Sequence, residues 1–190
     1  MNEFHYFPSA VYREEIPDWA ALALGFCADY YAQAGNTTPM CQTVGFDSDP
    51  NLSFLLDHVA NRAIEILRRQ GYAVDMYDAF VQMWGQSVED GGGHMVHVHK
   101  NSQISGFFVL QAEEGSAYPI FEDPRPAKLM VDLDLTDPTE LSVGSPSVHF
   151  NNLLPGTLML FNSWLPHHFV STGQGKPCKF IHFIVNLKGK

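Results

Sequence analysis

The chain of 190 residues is long enough to bury the core of one domain, and we expect residues 1–190 to form a single domain. Its formal net charge of −10, from 11 basic and 21 acidic residues, argues against binding to nucleic acid or to an anionic membrane, since both require cations. No apolar run approaches the roughly 18 residues of a membrane span, and the N-terminal residues lack the pattern of a signal peptide. The three cysteines, Cys27, Cys41 and Cys178, are too few and too far apart for a disulfide framework, so we expect buried free thiols and a cytoplasmic location.

Residues 1 to about 75 favour helices. The segment from Pro17 to about Gln33 has large apolar residues at spacings of three and four (Trp19, Leu22, Phe26 and Tyr30), which predicts an amphipathic helix. A second helix is predicted after Asp49, a suitable N-cap, and before Gly71, which can end it. Its apolar face consists of Leu52, Leu55, Leu56, Val59, Ala63, Ile66 and Leu67.

Residues from about 76 to 190 favour strands. Short segments rich in β-branched and aromatic residues are separated by Gly, Pro, Asp or Asn. They lie near residues 77–86, 94–99, 104–112, 118–122, 129–133, 147–150, 157–161, 167–171 and 178–187. This pattern predicts a mainly β sandwich or barrel with the two helices on its flank.

The histidines suggest a metal site. His97 and His99 share one face of an extended strand, roughly 6.6 Å apart, so both can bind one ion. His167 and His168 lie some 70 residues later, and only one of them can join that pair, because neighbours in a strand point to opposite sides. His94 has the opposite parity to His97 unless the adjacent glycines introduce a bulge. Three such ligands leave coordination positions open for substrate and oxygen.

Three segments of the chain carry motifs of a known kind. Residues 97–108, which read HVHKNSQISGFF, are similar to a motif of the form His-x-His-Pro-Asn-Ser-x-x-Ser-Gly that is found in a family of Fe(II)/2-oxoglutarate oxygenases. Residues 121–125 resemble its Phe-x-Asp-Pro-Arg motif, and residues 155–167 resemble its Gly-x-Leu-x-x-Phe-Pro-Ser-Trp-Leu-x-His motif. The motifs occur in the family's order over most of the chain.

The resemblance implies a fold, a reaction and a ligand set. The implied fold is a double-stranded β-helix, a cupin-like jelly roll, with the N-terminal helices packed on one side. The implied activity is that of a dioxygenase that uses Fe(II) and 2-oxoglutarate to hydroxylate a C–H bond. It implies that His97 opens the metal motif and His167 is the distal ligand, with His99 between them, whereas His168 points away.

Two positions differ from the usual pattern of this enzyme class. Most members carry a carboxylate where this chain has His99, although Asp90 or Asp123 remains an alternative source of one. They also carry an arginine on the last core strand, which holds the far carboxylate of 2-oxoglutarate. The last strand of this chain has none, which leaves Lys179, His182 and Arg125 as candidate cosubstrate ligands.

The predicted function is therefore oxygenation of a small molecule or a protein side chain, without nucleic-acid or membrane partners. Two alternatives stay open: a three-histidine metalloprotein that does not use 2-oxoglutarate, and a non-catalytic β-sandwich binding protein. A homodimer is compatible with the many aromatic residues. Gln86 is either a substrate contact or an exposed edge residue, Trp164 is expected to be buried, and Asp123 is expected to pair with Arg125.

Overall fold

A computed structural model describes residues 2, 8–35, 40–89, 91–126, 128 and 133–190. Two helices, two short 3-10 turns (Pro50–Leu52 and Val74–Met76) and nine strands follow one another along these residues. The elements are β1 (Val11–Glu15), α1 (Pro17–Ala34), β2 (Met40–Gly45), α2 (Ser53–Arg69), β3 (Tyr77–Val88), β4 (Ile104–Gln111), β5 (Tyr118–Glu122), β6 (Ser147–His149), β7 (Thr157–Asn162), β8 (His167–Val170) and β9 (Cys178–Gly189).

The strands form two antiparallel sheets that face each other. The larger sheet has the order β1-β7-β4-β9-β3-β2, and the smaller one has the order β6-β5-β8. Aromatic residues from both sheets fill the space between them: Phe169 of β8 stacks on Phe180 of β9, with ring centroids 4.3 Å apart, and Phe107 of β4 lies against both. This arrangement is the predicted jelly roll, a double-stranded β-helix with its interior between the sheets.

The outer face of the larger sheet is covered by the helices. Side chains from α1 and α2 form one buried cluster with Met83, Phe108, Leu160 and Phe183 of the sheet. The predicted apolar face of α2 is confirmed, because most of it is buried. The predicted N-cap is not: the Asp49 carboxylate accepts a hydrogen bond from the Asn51 N–H and caps the 3-10 turn, whereas α2 itself begins at Ser53. Gly71 follows the helix with a φ of +91°, a conformation that favours glycine.

The predicted apolar face of α1 is wrong by one residue. Leu22 is 49% exposed and Phe26 is 37% exposed, whereas the buried side chains are Ala20, Ala23, Cys27 and Tyr31. The Tyr31 hydroxyl donates to backbone carbonyl oxygens of β3 and β9, which fixes the helix on the sheet. Small side chains allow this close approach, and the larger aromatic residues flank the contact.

Two further predictions of local structure need correction. The first 75 residues are not only helical, because β1 and β2 pair with β7 and β3 at the two edges of the larger sheet. Residues 94–99 do not form a continuous strand, since only isolated bridges at Gly93 and His97 attach this segment to β8. Most of the strand predicted at 129–133 lies outside the described residues.

All three cysteines are buried and carry free thiols, as predicted. Within the described residues, no helix combines the length and the hydropathy needed to cross a membrane.

Candidate metal centre

The segment 93–99 extends the smaller sheet beside β8. His97 and His167 exchange two backbone hydrogen bonds, each 3.1 Å long, so their side chains lie next to each other. Gly93 pairs with Val170 and His97 pairs with His167, so the segment has one residue more than β8 between these two bridges, which is a bulge. The bulge brings the His94 ring to the same side as that of His97, and the two ring centroids are 5.4 Å apart.

His99 is positioned by the turn that follows it. Its N–H donates to the carbonyl oxygen of Ser163, and its own carbonyl accepts a hydrogen bond from the Ser102 hydroxyl. Asn101 has a φ of +58° and is the one non-glycine residue of the described chain with a positive value. Asparagine tolerates this conformation better than most residues. Asn101 and Ser102 therefore shape the turn that follows His99.

The three predicted metal ligands converge on one point. His97, His99 and His167 each offer a ring nitrogen, and these three atoms lie within 4.8 Å of one another. The Nε2 atoms of His99 and His167 are 3.3 Å apart. The Nδ1 atom of His97 lies 2.8 Å from the Met95 carbonyl, and that of His167 lies 2.9 Å from the Leu165 carbonyl. Carbonyls only accept hydrogen bonds, so each Nδ1 carries the proton and each Nε2 is free to bind a metal.

Burial favours the neutral form of three imidazoles near this point, those of His94, His99 and His167. Desolvation lowers the pKa of His99 to about 4 and that of His167 to about 3, with the neighbouring histidines adding to the effect. Burial likewise lowers the pKa of His94 to about 4. Neutral imidazole is the form that binds transition metals, so His99 and His167 require no deprotonation at neutral pH.

His182 is the candidate cosubstrate residue that lies at this centre. It is buried on β9 with its ring 4.7 Å from that of His99, and it stacks on Trp84, which is its cross-strand partner on β3. Neither ring nitrogen of His182, nor the indole Nε1 of Trp84, has a hydrogen-bond partner among the described residues. Buried polar atoms are normally paired, so these atoms are suited to contact a bound molecule.

The other two candidates lie elsewhere. The Lys179 ammonium group is 5.6 Å from the ring centre of Tyr31, on the helix side of the larger sheet. Arg125 is exposed and forms a bidentate ion pair with Asp123, as predicted for that pair. This pairing also occupies the Asp123 carboxylate, which is not part of the metal-ligand group, and Asp90 lies outside the described residues.

Three neighbouring residues are placed as follows. His168 points away from the centre, as predicted, and its Nδ1 lies 3.6 Å from a carboxylate oxygen of Glu122. Gln86 is buried rather than exposed at an edge, and its amide nitrogen donates to Gln42 while its Oε1 is unpartnered within the described chain. The prediction that Trp164 is buried is wrong, since this residue is 49% exposed.

Sequence reasoning did not identify the contact of Trp84 with His182. That contact depends on the register of β3 against β9, which joins residues almost 100 positions apart. The alternation of residues within one strand gives the face of a side chain, but it does not give its cross-strand partner.

The donor set fits an Fe(II) ion. Three imidazole nitrogens on one side of a point leave further coordination positions open, as in the mononuclear iron sites of oxygenases. The fit to 2-oxoglutarate is partial. Its keto-acid end requires only open positions on the metal, but its far carboxylate finds no lysine or arginine among the buried residues of the described chain.

Comparison with known proteins identifies the family. Residues 82–177, slightly more than half of the chain, match the sequence profile of the family described as "Putative 2OG-Fe(II) oxygenase". A comparison with curated proteins gave no sequence match.

Solved structures with a similar fold include two enzymes. A prolyl-4-hydroxylase from Pseudomonas putida is 13% identical with a TM-score of 0.63, and the alignment covers 95% of this chain and 94% of that one. The non-haem α-ketoglutarate-dependent carbocyclase SnoK of nogalamycin biosynthesis is 8% identical with a TM-score of 0.62, covering 93% and 79%. These likenesses establish the fold, and the profile match establishes that the chain belongs to the 2OG-Fe(II) oxygenase family, whose members use Fe(II) and 2-oxoglutarate.

Proposed function

We propose that His97, His99 and His167 hold Fe(II) and that the enzyme hydroxylates a C–H bond of a small molecule or a protein side chain. The observation that carries this proposal is the convergence of three imidazole nitrogens within 4.8 Å. Two of these imidazoles are held in the metal-binding tautomer by backbone carbonyls. Iron bound at this point would supply the activation of oxygen, with a 2-oxo acid as the source of two electrons.

The side chains of this protein orient and isolate the reacting groups. The backbone hydrogen bonds between the 93–99 segment and β8 fix the distance between His97 and His167. Phe121 and Phe161 pack against the His167 ring, with centroids 5.9 Å and 4.6 Å away, and exclude water from that side. His182 and Trp84 present unpartnered hydrogen-bonding atoms beside His99, where we propose that they contact the cosubstrate.

Two features bear on the substrate. Three apolar side chains near the histidines are about half exposed: Val96, Val98 and Trp164. Trp164 directly follows Ser163, whose carbonyl oxygen accepts the hydrogen bond of the His99 N–H. Apolar side chains exposed near a metal centre favour a substrate with an apolar part. Proteins of similar fold include a prolyl-4-hydroxylase and the carbocyclase SnoK, so both a protein side chain and a small molecule are retained as substrate classes. We place the enzyme in the cytoplasm because it has three free thiols.

A second candidate function, a three-histidine metalloenzyme that does not use 2-oxoglutarate, is favoured by one specific observation. No lysine or arginine is among the buried residues of the described chain, so nothing there offers a cation to the far carboxylate of 2-oxoglutarate. Oxygen consumption in the absence of any 2-oxo acid would support this second function.

The metal assignment is tested by titration of the metal-free protein with Fe(II) under anaerobic conditions. Nitric oxide is then added, and the ferrous-nitrosyl signal is measured by electron paramagnetic resonance. We expect one Fe(II) per chain in the wild type and loss of the signal in His97→Ala and His167→Ala. His168→Ala is the matched control, because it removes an adjacent imidazole that faces away from the centre. Retention of iron in both ligand variants would refute the assignment.

A further inference from the structure

Among the described residues, no lysine or arginine side chain is buried between the two sheets. All 11 lysine and arginine residues lie in the described part of the chain, and none of them is buried. Lys179, the basic residue nearest in sequence to His182, lies over Tyr31 on the helix side. A carboxylate bound between the sheets would therefore have no cationic partner, and burying an unpaired charge is strongly unfavourable.

Aromatic residues occupy the part of β9 next to His182. Phe180 is two residues before His182, so the two side chains share the interior face of the strand. It is fully buried and stacks on Phe169, which is in turn two residues after the metal ligand His167. The wall that joins His167 to His182 is thus apolar and is well suited to an uncharged hydrocarbon chain.

The unpartnered polar atoms near the metal are neutral groups. The Trp84 indole nitrogen can only donate, and a neutral His182 donates from one ring nitrogen and accepts at the other. Such groups can bind the oxygens of a keto acid, but they do not provide the charge-assisted, bidentate contact that makes arginine selective for a carboxylate.

We infer that the cosubstrate pocket does not select for a second carboxylate, so 2-oxo acids with a short uncharged chain serve at least as well as 2-oxoglutarate. This inference rests on the function proposed above. In the corresponding reaction the 2-oxo acid loses its carboxyl carbon as CO₂, and its former keto carbon takes up one atom of O₂ to give the shorter carboxylic acid. The second oxygen atom enters the substrate C–H bond. The 2-oxo acid and the C–H bond each supply two of the four electrons that reduce O₂.

The test compares 2-oxoglutarate with 2-oxovalerate, which has the same five-carbon chain with a methyl group in place of the far carboxylate. Each acid is titrated anaerobically into the Fe(II)-loaded protein, and the metal-to-ligand charge-transfer absorption gives its dissociation constant. We expect 2-oxovalerate to bind as tightly as 2-oxoglutarate or more tightly. A cation in the pocket would instead favour 2-oxoglutarate by about tenfold or more, and such a ratio in the wild type would overturn the inference.

Substitutions test which residues determine the ratio of the two dissociation constants. Introducing a cation in the pocket with His182→Arg should shift the ratio of the two dissociation constants towards 2-oxoglutarate by about tenfold. Lys179→Met and Arg125→Met are controls that should leave the ratio unchanged, and a loss of 2-oxoglutarate affinity in either would identify a different anchor and overturn the inference. The wild-type ratio decides the question even if His182→Arg does not fold. If the wild-type protein binds no Fe(II), the proposed function fails and the inference fails with it, whereas selective binding of 2-oxoglutarate overturns the inference alone.

Discussion

Gly106 lies at the centre of the larger sheet, where the structure leaves no space for a side chain. A Cβ atom at this position would be 2.2 Å from the carbonyl oxygen of Met159 and 2.7 Å from side-chain atoms of Leu160 and Phe183. β4 is hydrogen-bonded to β7 on one side and to β9 on the other, so the strand cannot move away without weakening a ladder. We expect Gly106→Ala to lower the free energy of unfolding by about 3 kcal/mol, the upper end of the usual cost of overpacking.

Gly25 provides a matched control for the same chemical change. It lies in the middle of α1, and an added Cβ would meet no atom within 4 Å. Gly25→Ala should therefore raise the free energy of unfolding by about 0.5–1 kcal/mol, because alanine loses less backbone entropy in a helix. Urea unfolding monitored by circular dichroism measures both changes. With a denaturant slope of about 2 kcal/mol per molar, the Gly106→Ala midpoint should fall by about 1.5 M. A midpoint within about 0.3 M of the wild type would refute the steric reasoning.

Three further predictions concern the surroundings of the site. Tyr31→Phe should destabilise the protein by about 1–2 kcal/mol in urea unfolding, because its hydroxyl donates to buried carbonyls of β3 and β9; an unchanged midpoint would contradict this role. Arg62 and His58 lower the pKa of Glu14, so the stabilisation from Glu14 is present above its unfolded pKa and is lost as the pH falls through its lower folded pKa. Glu14→Gln should therefore cost about 1 kcal/mol at neutral pH and almost nothing in acid, and an equal cost at both would argue against the ion pair. Asn101→Val should lower the thermal midpoint and weaken Fe(II) binding through the turn after the metal ligand, whereas Asn101→Gly, which suits its φ of +58°, should change neither.

The sequence predicts the metal ligands better than the structure around them. Alternation along an extended chain places His97 and His99 on one side, and this holds although the segment is attached to β8 only by isolated bridges. The position of His94 depends on a bulge, and the sequence indicates only that the neighbouring glycines permit one. The register of β8 brings His167 rather than His168 into the histidine cluster. The resemblance implied this choice, and the residues alone left it open.

The helices show the same distinction between local and tertiary information. The spacing of apolar residues predicts the buried face of α2, whose other face is polar. In α1 large apolar residues lie on several sides, and the contact is made by Ala20, Ala23, Cys27 and Tyr31. The close fit of helix to sheet selects the small side chains, and Trp19 instead packs against Phe54 and His58 of α2. The spacing of apolar residues alone does not predict that a face of small side chains, rather than the most hydrophobic face, contacts the sheet.

His99, which stands where most enzymes of the class have a carboxylate, and His182, the candidate cosubstrate residue at the centre, are physically linked. The rings of His99 and His182 are only 4.7 Å apart, so charges at these two positions would interact strongly in a buried environment. A cation introduced at 182 alone would lie near a positively charged metal with no carboxylate to balance it, and we expect His182→Arg to weaken Fe(II) binding. A carboxylate introduced with it at 99 would restore the balance, so the double variant His99→Asp/His182→Arg should bind Fe(II) more tightly than His182→Arg alone. A double-mutant cycle on the iron dissociation constant measures this coupling. Additive effects would mean that the two positions act independently on Fe(II) binding. A favourable coupling would mean that an uncharged residue at one position favours an uncharged residue at the other.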